Sequence, residues 1–401
     1  MIRTMKTRFY ASKHNLDRLF ACNRESANVW NECISLAKTY AMQNNGRWIG
    51  KTELQKLIKG KYPLHSQSIQ AVAHKYLFSR DGARQAKQKG YINKYPYKTK
   101  KYFNTKWANH GFMLHQNGKI ELSMGIWERK RQSPIVVYVK DVPKGQVKEI
   151  ELVYDRGLRL CLSYEDGIVA EPKQVGIRCA IDVGEIHTIA TVAENGANLI
   201  ITGRKIRSIK RLRNKKLAKL QRKMSKCQKG SRQWKRYNHA KQYVLSQSDK
   251  QLQDALHKTT KAFVEWACQQ QVKQVAIGDV EGVQRGTSRN KKKNAKKKRR
   301  RRIHNQKMGQ WQFGKLFDYL TYKLKSKGIS IEKVNESYTS QQCPCCGKRK
   351  KIASRTYVCS CGYTQHRDIH GACGILSKVM YHGEIQRLPV EVEKTKYLRI
   401  A

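Results

Sequence analysis

The chain has 401 residues, enough for two or three compact units and at least one sizeable hydrophobic core. Its 83 Lys and Arg stand against 29 Asp and Glu, a formal net charge of +54, and a chain so charged repels itself in the compact state unless a polyanion supplies counter-charge. No apolar stretch reaches the roughly 18 to 20 residues of a membrane span and cations run through the whole chain, so nucleic acid is the expected partner and a membrane is not.

The first residues, MIRTMKTRFY, lack the apolar core of a secretory signal, which predicts a reducing, cytoplasmic and nucleoid-associated setting where disulfides are rare. The 12 cysteines are then core residues or metal ligands.

In chain order, residues 1–10 read as a short strand. From about Asn15 to Ile58 apolar residues recur at helical spacing (Leu16, Leu19, Phe20, Ala27, Val29, Trp30, Cys33, Leu36), and a second helix is predicted between Gln67 and Gln88. The Pro-containing segment GYINKYPYKTKKYFNTKW interleaves aromatics with lysines, which suits base stacking combined with phosphate contact, or equally a Tyr-rich strand with a solvated basic face. From Phe112 to Tyr164 short alternating runs separated by Gly, Pro and Asn turns predict an antiparallel sheet or small barrel, completed by the N-terminal strand.

After a linker at Glu171 to Gln174 the pattern changes to three consecutive strands, the first almost fully apolar and therefore central in a new sheet. Residues from about 205 to 228 and from 232 to 270 read as two long basic helices in a hairpin broken at Gly230-Ser231, the second with Leu252, Leu256, Thr259, Phe263 and Trp266 on one face. His257 on this helix is read as a core or phosphate-contacting residue. The apolar strand VKQVAIGD follows, then the cation block Arg289–Arg302, read as a nucleic-acid-contacting loop. Trp311 to Lys327 is predicted helical, and GISIEKVNE reads as another strand.

The stretch CPCCGKRKKIASRTYVCSCG places Cys343 and Cys346 as C-x-x-C and Cys359 and Cys361 as C-x-C, each pair beside a glycine that permits a tight turn. Four thiolates on two turns predict a tetrahedral zinc site, and a shell closed by thiolates is structural because it leaves no open position for chemistry. Cys345 is the one alternative ligand.

Asp182 ends the buried run GIRCAI, where an unpaired charge is costly and calls for a compensating cation. Asp368, in QHRDIHGACGIL, starts a helix whose small residues Gly371 and Ala372 allow close packing on a sheet. Two distant aspartates could converge there on divalent cations, and magnesium suits an oxygen-only site.

Taken in order, IDVGEIHTIAT, ALHKTTKAFVEWA, VAIGDV, GISIEKVNESYTSQQCPCCG and YVCSCGYTQHRDIHGACGIL resemble the TnpB proteins of transposable insertion elements, relatives of the type V CRISPR effectors. The resemblance implies a multi-domain α/β protein: an RNase H-like (RuvC) nuclease domain with an inserted zinc ribbon, and an N-terminal β-barrel (wedge) carrying a helical recognition unit. The implied boundaries are 1–10 and 102–170 for the barrel, 11–101 for the helical unit, 171–340 for the nuclease with the hairpin at 205–270, 341–365 for the ribbon, 366–385 for the last nuclease segment and 386–401 for a tail. It further implies a transposon-derived guide RNA, double-stranded target DNA cut next to a short element-adjacent motif, and two magnesium ions, with Asp182 and Asp368 as the first and last catalytic acids.

The middle acid departs from the pattern, because this chain has Gly278 where the family often carries glutamate. Glu336, at the end of the next strand, is the favoured substitute over Asp279 and Glu281. A nuclease-inactive guided repressor of the same fold is the alternative that this glycine keeps open, and a strand-transfer transposase is a third.

Overall fold

A computed structural model of the chain describes residues 1–280, 305–352 and 354–400, in two units, Met1–Ile168 and Val169–Ala401. The Arg289–Arg302 block and Glu281 lie outside the described residues.

The first unit opens with β1 (Ile2–Thr7) and β2 (Phe9–Tyr10), continues through the helices α1 (Lys13–Gln43), α2 (Lys51–Ile58) and α3 (Ser66–Gln88), and returns to strands. These are β3 (Thr105–Ala108), β4 (Phe112–Leu114), β5 (Lys119–Leu122), the small hairpin β6 (Ile126–Trp127) and β7 (Lys130–Arg131), β8 (Ile135–Val139), β9 (Gln146–Tyr154) and β10 (Leu158–Glu165). Antiparallel pairing gives two four-stranded sheets, ordered β1-β10-β9-β3 and β2-β8-β5-β4. Side chains alternate across a strand, so IVVYV in β8 buries Ile135, Val137 and Val139 and turns Tyr138 outward.

Where the sequence suggests one helical run to Ile58, the chain turns after Gln43, with Asn45 and Gly46 at positive φ, and restarts at Lys51. Ser12 caps α1 by accepting from the Asn15 amide at 3.2 Å. A buried polar knot ties α1 to β3: the Asn23 side-chain oxygen accepts from the Thr105 amide (3.1 Å) and hydroxyl (2.9 Å). The Tyr-rich segment forms no strand between α3 and β3; Asn31 of α1 exchanges two hydrogen bonds with the backbone of Lys100, whose ammonium stands 3.6 Å from the Trp30 ring centre.

The second unit runs β11 (Ile177–Asp182), β12 (His187–Ala193), β13 (Asn198–Thr202), α4 (Arg204–Ser225), α5 (Arg232–Gln269), β14 (Val272–Gly278), α6 (Phe313–Lys325), β15 (Ser330–Val334), β16 (Thr356–Val358), β17 (Thr364–His366), α7 (Arg367–Met380) and β18 (Lys396–Arg399). The main sheet has the order β15-β14-β11-β12-β13-β18. β12 is antiparallel to both neighbours, while β11, β14 and β15 run parallel. Period two gives the sheet two different faces. Cys179, Ile181, Val275 and Ile277 point to one core shared with Phe263, Trp266, Leu316 and Leu320 of α5 and α6. Ala180, Ala190 and Ala276 point to the other, where Ile369, Ala372, Ile375 and Leu376 of α7 pack.

α4 contains no acidic residue and buries none of its side chains, whereas α5 buries Leu252, Leu256, Thr259, Phe263 and Trp266. His257 stacks on Tyr319 at 4.1 Å, and its backbone carbonyl accepts from the Lys323 ammonium at 2.7 Å, which makes it a packing residue between α5 and α6. The stretch expected as a tail, 386–401, contains a strand: β18 pairs parallel with β13 from Leu199 opposite Lys396 to Thr202 opposite Arg399. Among the described residues, no helix is long and apolar enough to cross a membrane.

Candidate metal centres

The two cysteine turns close as hairpins. The Gly347 amide donates to the Cys343 carbonyl (3.0 Å), the Gly362 amide to the Cys359 carbonyl (3.2 Å), and both glycines have the positive φ such turns require. This brings the sulfurs of Cys343, Cys346, Cys359 and Cys361 within 4.8 Å of one another, with Cys343 to Cys361 at 3.6 Å and Cys346 to Cys359 at 3.5 Å. Sulfurs about 2.3 Å from one zinc ion at tetrahedral angles stand about 3.8 Å apart, so the cluster could hold such an ion with little adjustment. Cys345 is exposed and is not one of the four.

The acids meet at the opposite face from α5 and α6. Asp182 follows Ala180 on that face by the same period of two, and α7 crosses there. Its close approach depends on Gly371: a Cβ at that position would lie 2.5 Å from Asp182 Oδ2. Gly374, one turn on, lies so near Thr339 that a Cβ would stand 2.8 Å from its carbonyl. Glu336 enters the same space from beyond β15, with its Oε2 2.6 Å from where a Gly278 Cβ would be. Glu336 therefore fills the volume in front of the glycine that occupies the expected position of the middle acid. Asp279 instead pairs with Lys333 at 3.8 Å.

Electrostatics mark the cost of this arrangement. Burial, then the charges of Asp368 and Glu336, push the Asp182 carboxyl up to about 8 against the nearby Arg367. Burial, then Asp279, pushes Glu336 up to about 7. Asp368 differs: burial raises it, but the hydrogen bond and charge of His187, with Arg355 and His366, outweigh burial and hold it below its ordinary value. The bond joins His187 Nδ1 to Asp368 Oδ2 at 2.6 Å, and Arg355 Nη1 stands 3.5 Å from the same oxygen.

Sequence reading did not single out His187 or His366, yet one ligand atom each from His187, His366 and Asp368 lie within 4.8 Å of one another. His366 caps α7, accepting from the Asp368 amide at 3.3 Å. The available signal was local: His366 sits two residues before Asp368, and His187 opens the strand that follows the IDVG turn.

Set beside known proteins, residues 159–284 match the profile of a family described as a probable transposase, and residues 313–375 match that of the Cas12f1-like TNB domain. A TnpB-like protein of Methanocaldococcus jannaschii is 27% identical over 236 residues, spanning 57% of this chain and 78% of that protein. The fold resembles Cas12f1, solved in complex with sgRNA and target DNA, with a TM-score of 0.62 at 11% identity over 93% of this chain and 98% of the other. The two profiles cover the segments that carry Asp182, Gly278, the cysteine cluster and Asp368, and with the TnpB-like relative they show that this chain is similar to the TnpB proteins over its second unit.

Proposed function

We propose that this chain is an RNA-guided, divalent-metal-dependent DNA endonuclease encoded by a transposable element, cutting double-stranded DNA at a RuvC-type centre formed by Asp182, Glu336 and Asp368. The observation that carries the reading is the Glu336 carboxylate in front of Gly278: a glycine that removes the usual acid is matched by an acid delivered to the same place. The sheet order, with one antiparallel strand between parallel ones and α7 on the acid face, suits an RNase H-like nuclease domain. The two antiparallel sheets with α1 to α3 suit a wedge barrel and a helical recognition unit.

The donor set fits magnesium, since carboxylate oxygens are its preferred ligands and two of the three acids lack enough compensating charge from the protein itself. Bound there, a pair of magnesium ions would supply a nucleophilic water at neutral pH and offset charge on the leaving oxygen. The chain's own contribution is placement. Asp182 is held against Gly371 and Glu336 against Gly278, so neither carboxylate can swing toward its glycine, and His187 orients Asp368 in its ionised form. The acid-free surface of α4 and the cations of α5 would hold a guide–target duplex through its phosphates, leaving sequence choice to base pairing. Zinc in the cysteine cluster would close the hairpins of β16 and β17 onto the start of α7 and so fix Asp368.

The test is to purify the chain with co-expressed RNA from the transposon end and to assay magnesium-dependent cleavage of a guide-matched duplex by wild type, Asp182→Ala and Glu336→Ala. Cleavage by wild type and by neither variant supports the reading. A wild type that binds the target and never cuts it would establish the guided repressor instead, and joining of transposon ends without RNA would establish a strand-transfer transposase.

A further inference from the structure

We propose that His187, His366 and Asp368 form a second divalent-ion site, one that takes a nitrogen-preferring transition ion of the zinc, cobalt and nickel class. The three donors arrive on three different elements: His187 at the first position of β12, His366 at the last position of β17, and Asp368 in the first turn of α7. Their ligand atoms lie within 4.8 Å of one another, and all three residues are half-buried. Donors around one such ion, bonded at about 2.0–2.2 Å, stand about 3 to 3.5 Å apart, so rotation of side chains closes the site without moving backbone.

The donor chemistry separates this group from the acids beside it. Two imidazoles and one carboxylate are the ligand set of open-sided transition-ion sites, while magnesium prefers oxygen alone. The local contacts leave room for an ion. His187 Nδ1 and Asp368 Oδ2 face each other at 2.6 Å, so both point into the same space and an ion entering it would replace their hydrogen bond with a bond to each. Among the described residues, the His366 ring makes one hydrogen bond, accepting at Nδ1 from the Asp368 amide at 3.3 Å, a long contact for a cap. Tyr397 of β18 adds a wall, its ring centre 6.1 Å from those of both histidines.

This site stands on geometry and does not depend on nuclease activity. Because Asp368 belongs to both groups, an ion held here competes with any use of Asp368 by the acid centre.

The test uses the full-length chain with one zinc per molecule, confirmed before and after by elemental analysis, titrated calorimetrically with Co2+ in magnesium-free buffer. One further equivalent is expected. His187→Asn keeps a donor toward Asp368 and His366→Ser keeps the helix cap, so both variants remove an imidazole without removing the local hydrogen bond. Each is expected to weaken Co2+ binding about 100-fold or more, at or above the roughly 10- to 100-fold that loss of an outer-shell partner costs. Glu336→Ala is expected to retain the equivalent. Unchanged circular dichroism and zinc content certify the folding of each variant. No further equivalent in wild type overturns the proposal, as does an equivalent that survives in both histidine variants or vanishes in Glu336→Ala alone.

Discussion

Replacing Asp182 by asparagine should stabilise the metal-free protein, and by an amount that depends on pH. In the folded chain the carboxyl sits at about 8 against an ordinary 3.8, so the native state holds its proton longer than the unfolded state does. Native stability then falls as pH rises from about 4 to about 8, while asparagine, neutral throughout, escapes the loss. At about 1.4 kcal/mol per pH unit the full gap would be worth about 5 to 6 kcal/mol, and screening around a half-buried residue reduces what is felt between pH 5 and pH 8 to about 2 to 3 kcal/mol. Amide hydrogen exchange in peptides covering β11 and α7 reads this locally, without assuming that both units unfold together. The protection of Asp182→Asn relative to wild type should grow about 30- to 150-fold between the two pH values. Magnesium at about 100 times its dissociation constant should return about 2.7 kcal/mol to wild type and close the gap. A difference that is the same at both pH values, or a wild type better protected at pH 8 without magnesium, would refute the burial argument.

Gly278→Ala and Gly371→Ala each put a methyl group within 2.6 Å of a carboxylate oxygen, so each should cost about 1 to 3 kcal/mol in local stability and depress cleavage, read by exchange and by single-turnover assay. Cys343→Ser or Cys359→Ser should lower the zinc content by one equivalent relative to wild type, and elemental analysis that finds the content unchanged in either variant would contradict the four-sulfur site. Ending the chain at residue 393 removes β18 and leaves β13 at the sheet edge; amides of Leu199 to Thr202 should then exchange faster, and unchanged exchange would mean that the pairing contributes nothing to β13.

How much of this was legible in the sequence varied with the range of the signal. The cysteine cluster was readable because ligands and turn glycines lie within a few residues of one another. Asp182 and Asp368 stand out in the sequence because each borders an apolar run and because the resemblance marks both, and the structure brings the two near each other. The break after Gln43 was missed, since Asn44 to Gly50 interrupts an apolar pattern that resumes in phase with the same core. The end of the chain was read as a tail because β18 is exposed along its whole length: an edge strand paired on one side carries no alternation of apolar and polar residues. His187 and His366 escaped for a different reason. They are 179 positions apart (366 minus 187), and only the fold of β12 against α7 brings them to one carboxylate.

The proposed placing of the middle acid at Glu336 has a local basis in how β14 and β15 pair. β14 and β15 run parallel with Gly278 opposite Val334, and the Asp279 amide donates to the Val334 carbonyl, so the chain leaving β15 stays beside the end of β14. Glu336 is two residues further on and long enough to reach back over Gly278, whose missing side chain is what makes room. The two positions are therefore coupled, because any Cβ at 278 meets the Glu336 side chain. Gly278→Glu alone should add a colliding like charge and lower cleavage, and Glu336→Ala alone should abolish it. The double variant Gly278→Glu/Glu336→Ala exchanges the acid between strands and should recover activity above both singles. A double variant no better than Glu336→Ala would show that the two positions do not serve one carboxylate site.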